Sequence, residues 1–138
     1  MTTTHRYKAA VIIPSRGGAD ILHYPLDALA AQTEKDFQVI VVLDGDIDNS
    51  EAVLDRYIAE GKLNLTKIVF EENRGRVAAL NAGHRAADAD ILIRCDDDLE
   101  PAADYVEAQI RLHRDYDGVI GTLKNVYPDT PYSRVYGN

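Results

Sequence analysis

The chain has 138 residues, 46% of them hydrophobic and 28% charged, with 9 glycines, 5 prolines and a formal charge of −8. This length and balance predict one soluble globular domain with a real core, and exclude a disordered or fibrous chain. The negative charge argues against nonspecific binding to nucleic acid or an anionic membrane surface, since both require a basic face.

No apolar run, Val39 to Leu43 included, approaches the about 20 residues that span a bilayer, so no membrane span is expected. The segment Met1 to Lys8 lacks the apolar centre of a secretory signal, and the single cysteine, Cys95, cannot form an internal disulfide. A reducing, cytoplasmic setting follows as the expectation. Cys95 itself is read as a small buried hydrophobe without chemistry.

In chain order, Lys8 to Pro14 carries Ala-Ala-Val-Ile-Ile, apolar on both faces as in a central parallel strand, and ends at Pro14-Ser15-Arg16-Gly17-Gly18. Leu22, Leu26, Leu29 and Ala30 then fall at helical spacing, with Pro25 in the first turn. A second strand, Phe37 to Leu43, stops at Asp44-Gly45-Asp46. A helix follows from Ser50 to Glu60, capped by Asp48 or Asn49, with Val53, Leu54, Tyr57 and Ile58 inward and Gly61 as its stop.

Leu65 to Phe70 reads as a third strand, and Arg76 to Ala87 as an alanine-rich helix with Val77, Leu80, His84 and Ala87 on one inner face. Ile91 to Cys95 is a fourth strand, running into Asp96-Asp97-Asp98. A fourth helix is predicted from Ala102 to Tyr116, with Val106, Ile110 and His113 inward, and a fifth strand from Val119 to Val126. Residues 1–126 form the expected domain, and residues 127–138 an irregular tail that could mediate homo-oligomer formation.

Alternating strands and helices predict an α/β fold with a mostly parallel sheet, in which ligands bind at the carboxyl ends of the strands. Ser15, Asp44 and Asp96 to Asp98 all fall at such ends, so three distant polar clusters are expected to meet on one rim.

Three adjacent carboxylates repel unless a cation, donors or water compensates them. In extended geometry Asp96 and Asp98 point the same way and Asp97 the other. Two hard oxygen ligands on one side suit Mg2+ or Mn2+, completed by water and phosphate. The competing reading is that these acids cap the helix beginning near Pro101. Asp44 could accept hydrogen bonds from a nucleobase or ribose, or simply form a turn before Gly45. Arg74 and Arg76 flank a helix N-terminus, suited to phosphate oxygens or to balancing Glu71 and Glu72. His84 and His113 read as packing histidines.

Four segments together, Val11-Ile-Ile-Pro-Ser-Arg16, Leu29 to Gly45, Asn73 to Gly83 and Asp96-Asp97-Asp98, resemble the family 2 inverting glycosyltransferases with the GT-A fold. The resemblance implies a three-layer α/β/α sandwich of Rossmann-like type and a nucleoside diphosphate sugar as donor. It implies that Pro14, Ser15 and Arg16 line the nucleotide pocket, that Asp44 holds the base, and that Arg76 and Asp97 lie near the nucleotide. Asp96 and Asp98 match the D-x-D pair that holds a divalent metal, with Asp98 as the principal contact. Leu43 departs from the pattern, because the family often has a second acid there.

Family members continue into a second half that carries the acceptor site and a general base, which an inverting transfer needs to deprotonate the acceptor. No general base is identified here, and Asp129 in the proline-rich tail is a poor candidate. The expected function is therefore a glycosyltransferase or its donor-binding half, acting on an unknown acceptor. A truncated, non-catalytic nucleotide-binding or assembly module is the alternative. A nucleotidyltransferase fits less well, since Ser15 to Gly18 lacks a fuller phosphate-binding glycine loop, and a phosphoacceptor receiver domain fits worse still.

Overall fold

The structure is a computed structural model and describes residues 5–121. Its elements run β1 (Tyr7–Ser15), α1 (His23–Ala30), β2 (Phe37–Leu43), α2 (Ser50–Glu60), β3 (Leu65–Val69), α3 (Arg76–Ala86), β4 (Ala89–Arg94) and α4 (Tyr105–Leu112). The strands form one parallel sheet in the order β3-β2-β1-β4. The first crossovers build outward from β1 to β2 and β3, and the connection through α3 returns to the other side of β1.

The two central strands are apolar on both faces because helices cover both. Leu22, Leu26 and Leu29 of the α1 region, Leu54 and Tyr57 of α2 and Val106 of α4 pack on one face with Val11, Ile13, Val39 and Val41. On the other face α3 covers Ile12, Ile40 and Val42 with Ala79 and Leu80. This is a three-layer α/β/α sandwich, as the alternation of elements predicts.

The inner face of α3 is only partly the expected one: Leu80 and Ala87 pack against the core as predicted, but two other residues do not. Val77 is 71% exposed and His84 is exposed, whereas Ala79 and Gly83 are buried. The cause is close approach: a Cβ on Gly83 would stand 2.5 Å from Ile12 Cγ2. Only the smallest residue fits at that point of contact, and Val77 and His84 turn outward.

Helix α4 is shorter than its apolar pattern suggested, because the chain before it is held by another element. Buried Gln32, just beyond α1, donates through Nε2 to Ala102 O at 2.7 Å and accepts from Val106 N at 2.9 Å. Thr33 N donates to Ala103 O at 2.9 Å. These bonds fix Ala102 and Ala103 as an irregular lead-in. His113 is part-buried, and its Nδ1 bonds to Gln109 O at 2.7 Å, a packing role.

Of the expected fifth strand, residues 119–121 adopt no regular structure, and residues 122–126 lie outside the described residues. The tail at 127–138, with Asp129 and the homo-oligomer expectation attached to it, also lies outside them.

Candidate functional site

The strand order reverses between β1 and β4, the point at which open α/β sheets bind ligands outside the carboxyl ends of their strands. Pairing of β1 with β4 ends at Ile12 and Arg94, apart from one further bond from Cys95 N to Ile12 O at 3.0 Å. Beyond that point β1 continues through Pro14 and Ser15 beside β2 alone. Proline has no N–H to give, which suits a position where one neighbour has departed.

Ser15 is buried, and its Oγ donates to Asp97 Oδ2 at 2.7 Å across the strand ends. The approach is tight: a Cβ on Gly18 would lie 2.3 Å from Ser15 Oγ and 3.0 Å from Asp97 Oδ2. Gly18 was visible in the sequence only as one of a glycine pair, with nothing to assign it this packing role. Arg16 is exposed on the same loop.

Asp44 follows β2 and is only 7% exposed. Its backbone N donates to Ser15 O at 2.8 Å, which locks the ends of β1 and β2 together. Its carboxylate reaches the loop before α3, accepting from Arg74 N at 2.5 Å and Gly75 N at 2.9 Å. Gly75 is the N-cap of α3, with φ 92° and no side-chain cap of its own. Arg76, the first residue of α3, is exposed, and the Arg74 guanidinium lies 4.6 Å from the centre of the Phe70 ring.

The rest of the loop after β2 is tied down locally. Asp46 Oδ1 accepts from Ser50 N at 2.8 Å, and Asp48 Oδ2 accepts from Ala19 N at 2.9 Å. Hydrogen bonds from the Ser50 hydroxyl and from Ala19 N hold the Asp48 carboxyl below its usual 3.8. Asn49 is the N-cap residue of α2 but makes no side-chain cap bond. Ile47 is 63% exposed, its Cδ1 lying 3.3 Å from where a Cβ on Gly17 would stand, an apolar edge on the rim that sequence patterning missed.

In the acid cluster the chain is no longer extended. Strand β4 ends at Arg94, and Leu99 N donates to Asp96 O at 3.2 Å in a turn. The alternation expected of Asp96, Asp97 and Asp98 therefore gives way to individual engagement. Asp96 Oδ1 meets Arg94 Nε at 3.3 Å, Asp97 is bound to Ser15, and Asp98 is exposed. The capping alternative fails, because α4 begins at Tyr105 with Asp104 at its N-cap position. Cys95 is buried, and burial first, then the three aspartates, pushes its thiol up to about 12. It stays protonated and inert.

The structure thus brings Pro14, Ser15, Asp44 and Asp97 into one bonded assembly at the ends of β1, β2 and β4. Asp96 and Asp98 stand beside Asp97, and Arg76 is joined through the loop that Asp44 holds. Among the described residues no group of three or more His, Cys, Asp and Glu side chains is arranged around a common ion position. Also among them, no helix is long and apolar enough to cross a membrane.

Polar side chains gathered at the carboxyl ends of a parallel sheet, where its strand order reverses, define an α/β architecture of the GT-A type. The family model for glycosyl transferase family 2 matches residues 10–136, and the chain belongs to that family. The uncharacterized glycosyltransferase YfnE of Bacillus subtilis is 34% identical over 114 residues, covering 82% of this chain and 29% of the relative. An undecaprenyl-phosphate 4-deoxy-4-formamido-L-arabinose transferase of Pseudomonas syringae is 25% identical over 108 residues, covering 78% of this chain and 32% of the relative. The chain therefore spans under a third of the length of either relative.

Among solved structures, Staphylococcus aureus TarS 1–349 in complex with UDP-GlcNAc superposes with a TM-score of 0.73 at 23% identity, covering 80% of this chain and 32% of that 1–349 chain. That likeness shows the GT-A fold. The mannosyltransferase PcManGT of Pyrobaculum calidifontis, in complex with GDP-Man and Mn2+, gives 0.69 at 28% identity, covering 77% and 32%.

Proposed function

We propose that this chain is the donor-binding portion of a glycosyltransferase, which takes a nucleoside diphosphate sugar at the carboxyl ends of β1 and β4 and passes the sugar to an acceptor with inversion. The observation that carries this reading is the bond from Ser15 to Asp97, with Asp44 locked to Ser15 from the other side. Residues from four parts of the chain converge on one rim, where α/β sheets receive ligands. In this reading Pro14, Ser15, Arg16, Asp44, Arg76 and Asp97 border the nucleotide.

A divalent cation, Mg2+ or Mn2+, fits the donor set. Asp98 is exposed and, among the described residues, the Asp96 carboxylate is tied only to the exposed Arg94, so two hard carboxylates can turn to a ligand. Because no third acid, His or Cys joins them among the described residues, water and phosphate oxygens would complete the shell, as suits these ions. When bound, the cation would neutralise charge on the departing diphosphate. The structural likeness to PcManGT, which was solved in complex with GDP-Man and Mn2+, supports this choice.

The chain's own residues bind and orient the donor. The acceptor site and the general base are assigned outside the donor portion, consistent with the chain spanning under a third of the length of the two relatives named above. A cytoplasmic site of action belongs to the same proposal, supported by the lone, buried cysteine.

Titration calorimetry with UDP, GDP and TDP, each with Mn2+, tests the reading. At least one nucleotide should bind, and Asp98→Ala should weaken it tenfold or more, about 1.4 kcal/mol. Absence of binding by all three, or indifference to Asp98→Ala, would overturn it.

A further inference from the structure

We infer that Asp44 is a positioning residue, a clamp that holds the loop 73–75 and through it fixes Arg76 and the start of α3. This rests on the donor-binding reading and goes beyond a contact to the base. An aspartate before glycine ordinarily bonds to its own turn. Here both carboxylate oxygens instead reach residues 30 and 31 positions away, accepting from Arg74 N at 2.5 Å and Gly75 N at 2.9 Å.

The loop needs such a holder. Gly75 takes φ 92°, a conformation favoured by glycine, and a Cβ there would meet nothing within 4 Å, so backbone conformation and not crowding demands the glycine. Asn73 Oδ1 also accepts from Gly75 N, at 3.0 Å. Helix α3 has no side-chain cap from its own N-cap residue, and Asp44 supplies the acceptor from the neighbouring strand. A carboxylate near a helix N-terminus is also favoured by the dipole. Since Arg76 follows Gly75 directly, fixing Gly75 fixes where the Arg76 guanidinium enters the rim. A carboxylate has about four lone-pair directions, so a base N–H can be accepted without releasing the loop.

The test compares Asp44→Asn with the unaltered chain by amide hydrogen exchange and by affinity for ribose 5-diphosphate with Mn2+, a ligand without a base. The clamp predicts that Arg74 and Gly75 exchange about tenfold or more faster in the variant, because charge-assisted bonds are lost locally. It predicts weaker ribose 5-diphosphate binding as well, through misplacement of Arg76. Unchanged exchange overturns the clamp, and so does unchanged affinity for the base-free ligand, which would leave Asp44 as a base contact alone.

If Asp44→Asn does not fold, through-hydrogen-bond couplings from the Arg74 and Gly75 nitrogens to the Asp44 carboxyl carbon can be read in the unaltered chain. They should be present and should persist on saturation with nucleotide, and their absence in either state contradicts the clamp. These backbone readouts stand even if no nucleotide binds, so failure of the clamp and failure of the donor-binding reading are distinguishable.

Discussion

Ser15 and Asp97 are 82 residues apart in sequence, yet the Ser15 hydroxyl donates to the Asp97 carboxylate at 2.7 Å. The bond bridges the chain ends where β1 and β4 part company. It separates the middle aspartate of the cluster from its two neighbours: Asp97 is bonded across the strand ends, whereas Asp96 meets Arg94 and Asp98 is exposed, the two acids that the proposed reading gives to the cation.

Removal of the hydroxyl should therefore cost stability as well as binding. Ser15→Ala leaves a half-buried carboxylate without its donor, and water can replace part of what is lost. A destabilisation of about 1 kcal/mol is expected in urea unfolding, toward the low end for a bond to a charged group. A midpoint equal to that of the unaltered chain would show that the bond contributes nothing net.

Gly18 should be coupled to the same pair. Its added Cβ would fall 2.3 Å from Ser15 Oγ, so Gly18→Ala must push the serine off Asp97 or shift the loop. Gly18→Ala should destabilise by about 1–3 kcal/mol in the unaltered chain and by clearly less in a Ser15→Ala background. Strict additivity in this double-mutant cycle would contradict the geometry.

On the opposite face, Gly83→Ala poses helix propensity against packing. Alanine in a helix gains about 1 kcal/mol over glycine. The new methyl would meet Ile12 Cγ2 at 2.5 Å and Cγ1 at 3.1 Å, against a side chain that is fully buried. Overpacking costs about 1–3 kcal/mol, so a net loss in Tm is expected. A rise in Tm would mean that α3 can lift off the sheet without penalty.

Tyr57 gives a pH dependence. Burial first, then its hydrogen bond to Asp27 Oδ1 at 2.6 Å, pushes its hydroxyl from 10.0 up to about 12. The folded state thus holds this proton more tightly than the unfolded chain. The resulting stability is fully present below pH 10 and is lost as the pH rises through 10 toward 12. Unfolding midpoints followed across that window should fall more steeply for the unaltered chain than for Tyr57→Phe. Parallel curves would remove Tyr57 as the cause.

Much of the framework was legible because burial on both faces writes itself into continuous apolar runs. Phe37–Leu43 and Ser50–Glu60 match the expected bounds. Misreadings arose where a tertiary neighbour decided the outcome. Hydrophobicity pointed Val77 inward, but the face of α3 that meets the sheet runs through Ala79, Leu80 and Gly83, with Gly83 pressed against Ile12. Apolar periodicity carried α4 back to Ala102, but Gln32 and Thr33 hold that segment from 70 residues away. In the site, the positions of Ser15, Asp44 and the aspartates at strand ends could be read from the sequence, while their partners could not. Nothing local in Asp44-Gly45 announces bonds to Arg74 and Gly75.

The placement of the donor at the carboxyl ends of β1 and β4 is tested most directly by paramagnetic broadening of backbone amide signals with substoichiometric Mn2+ in the presence of a nucleoside diphosphate. Broadening should centre on Asp96, Asp97 and Asp98 and extend to Ser15 and Gly18, and it should vanish in Asp98→Ala. Broadening that is uniform over the acidic surface, or that centres elsewhere and survives Asp98→Ala, would contradict the account.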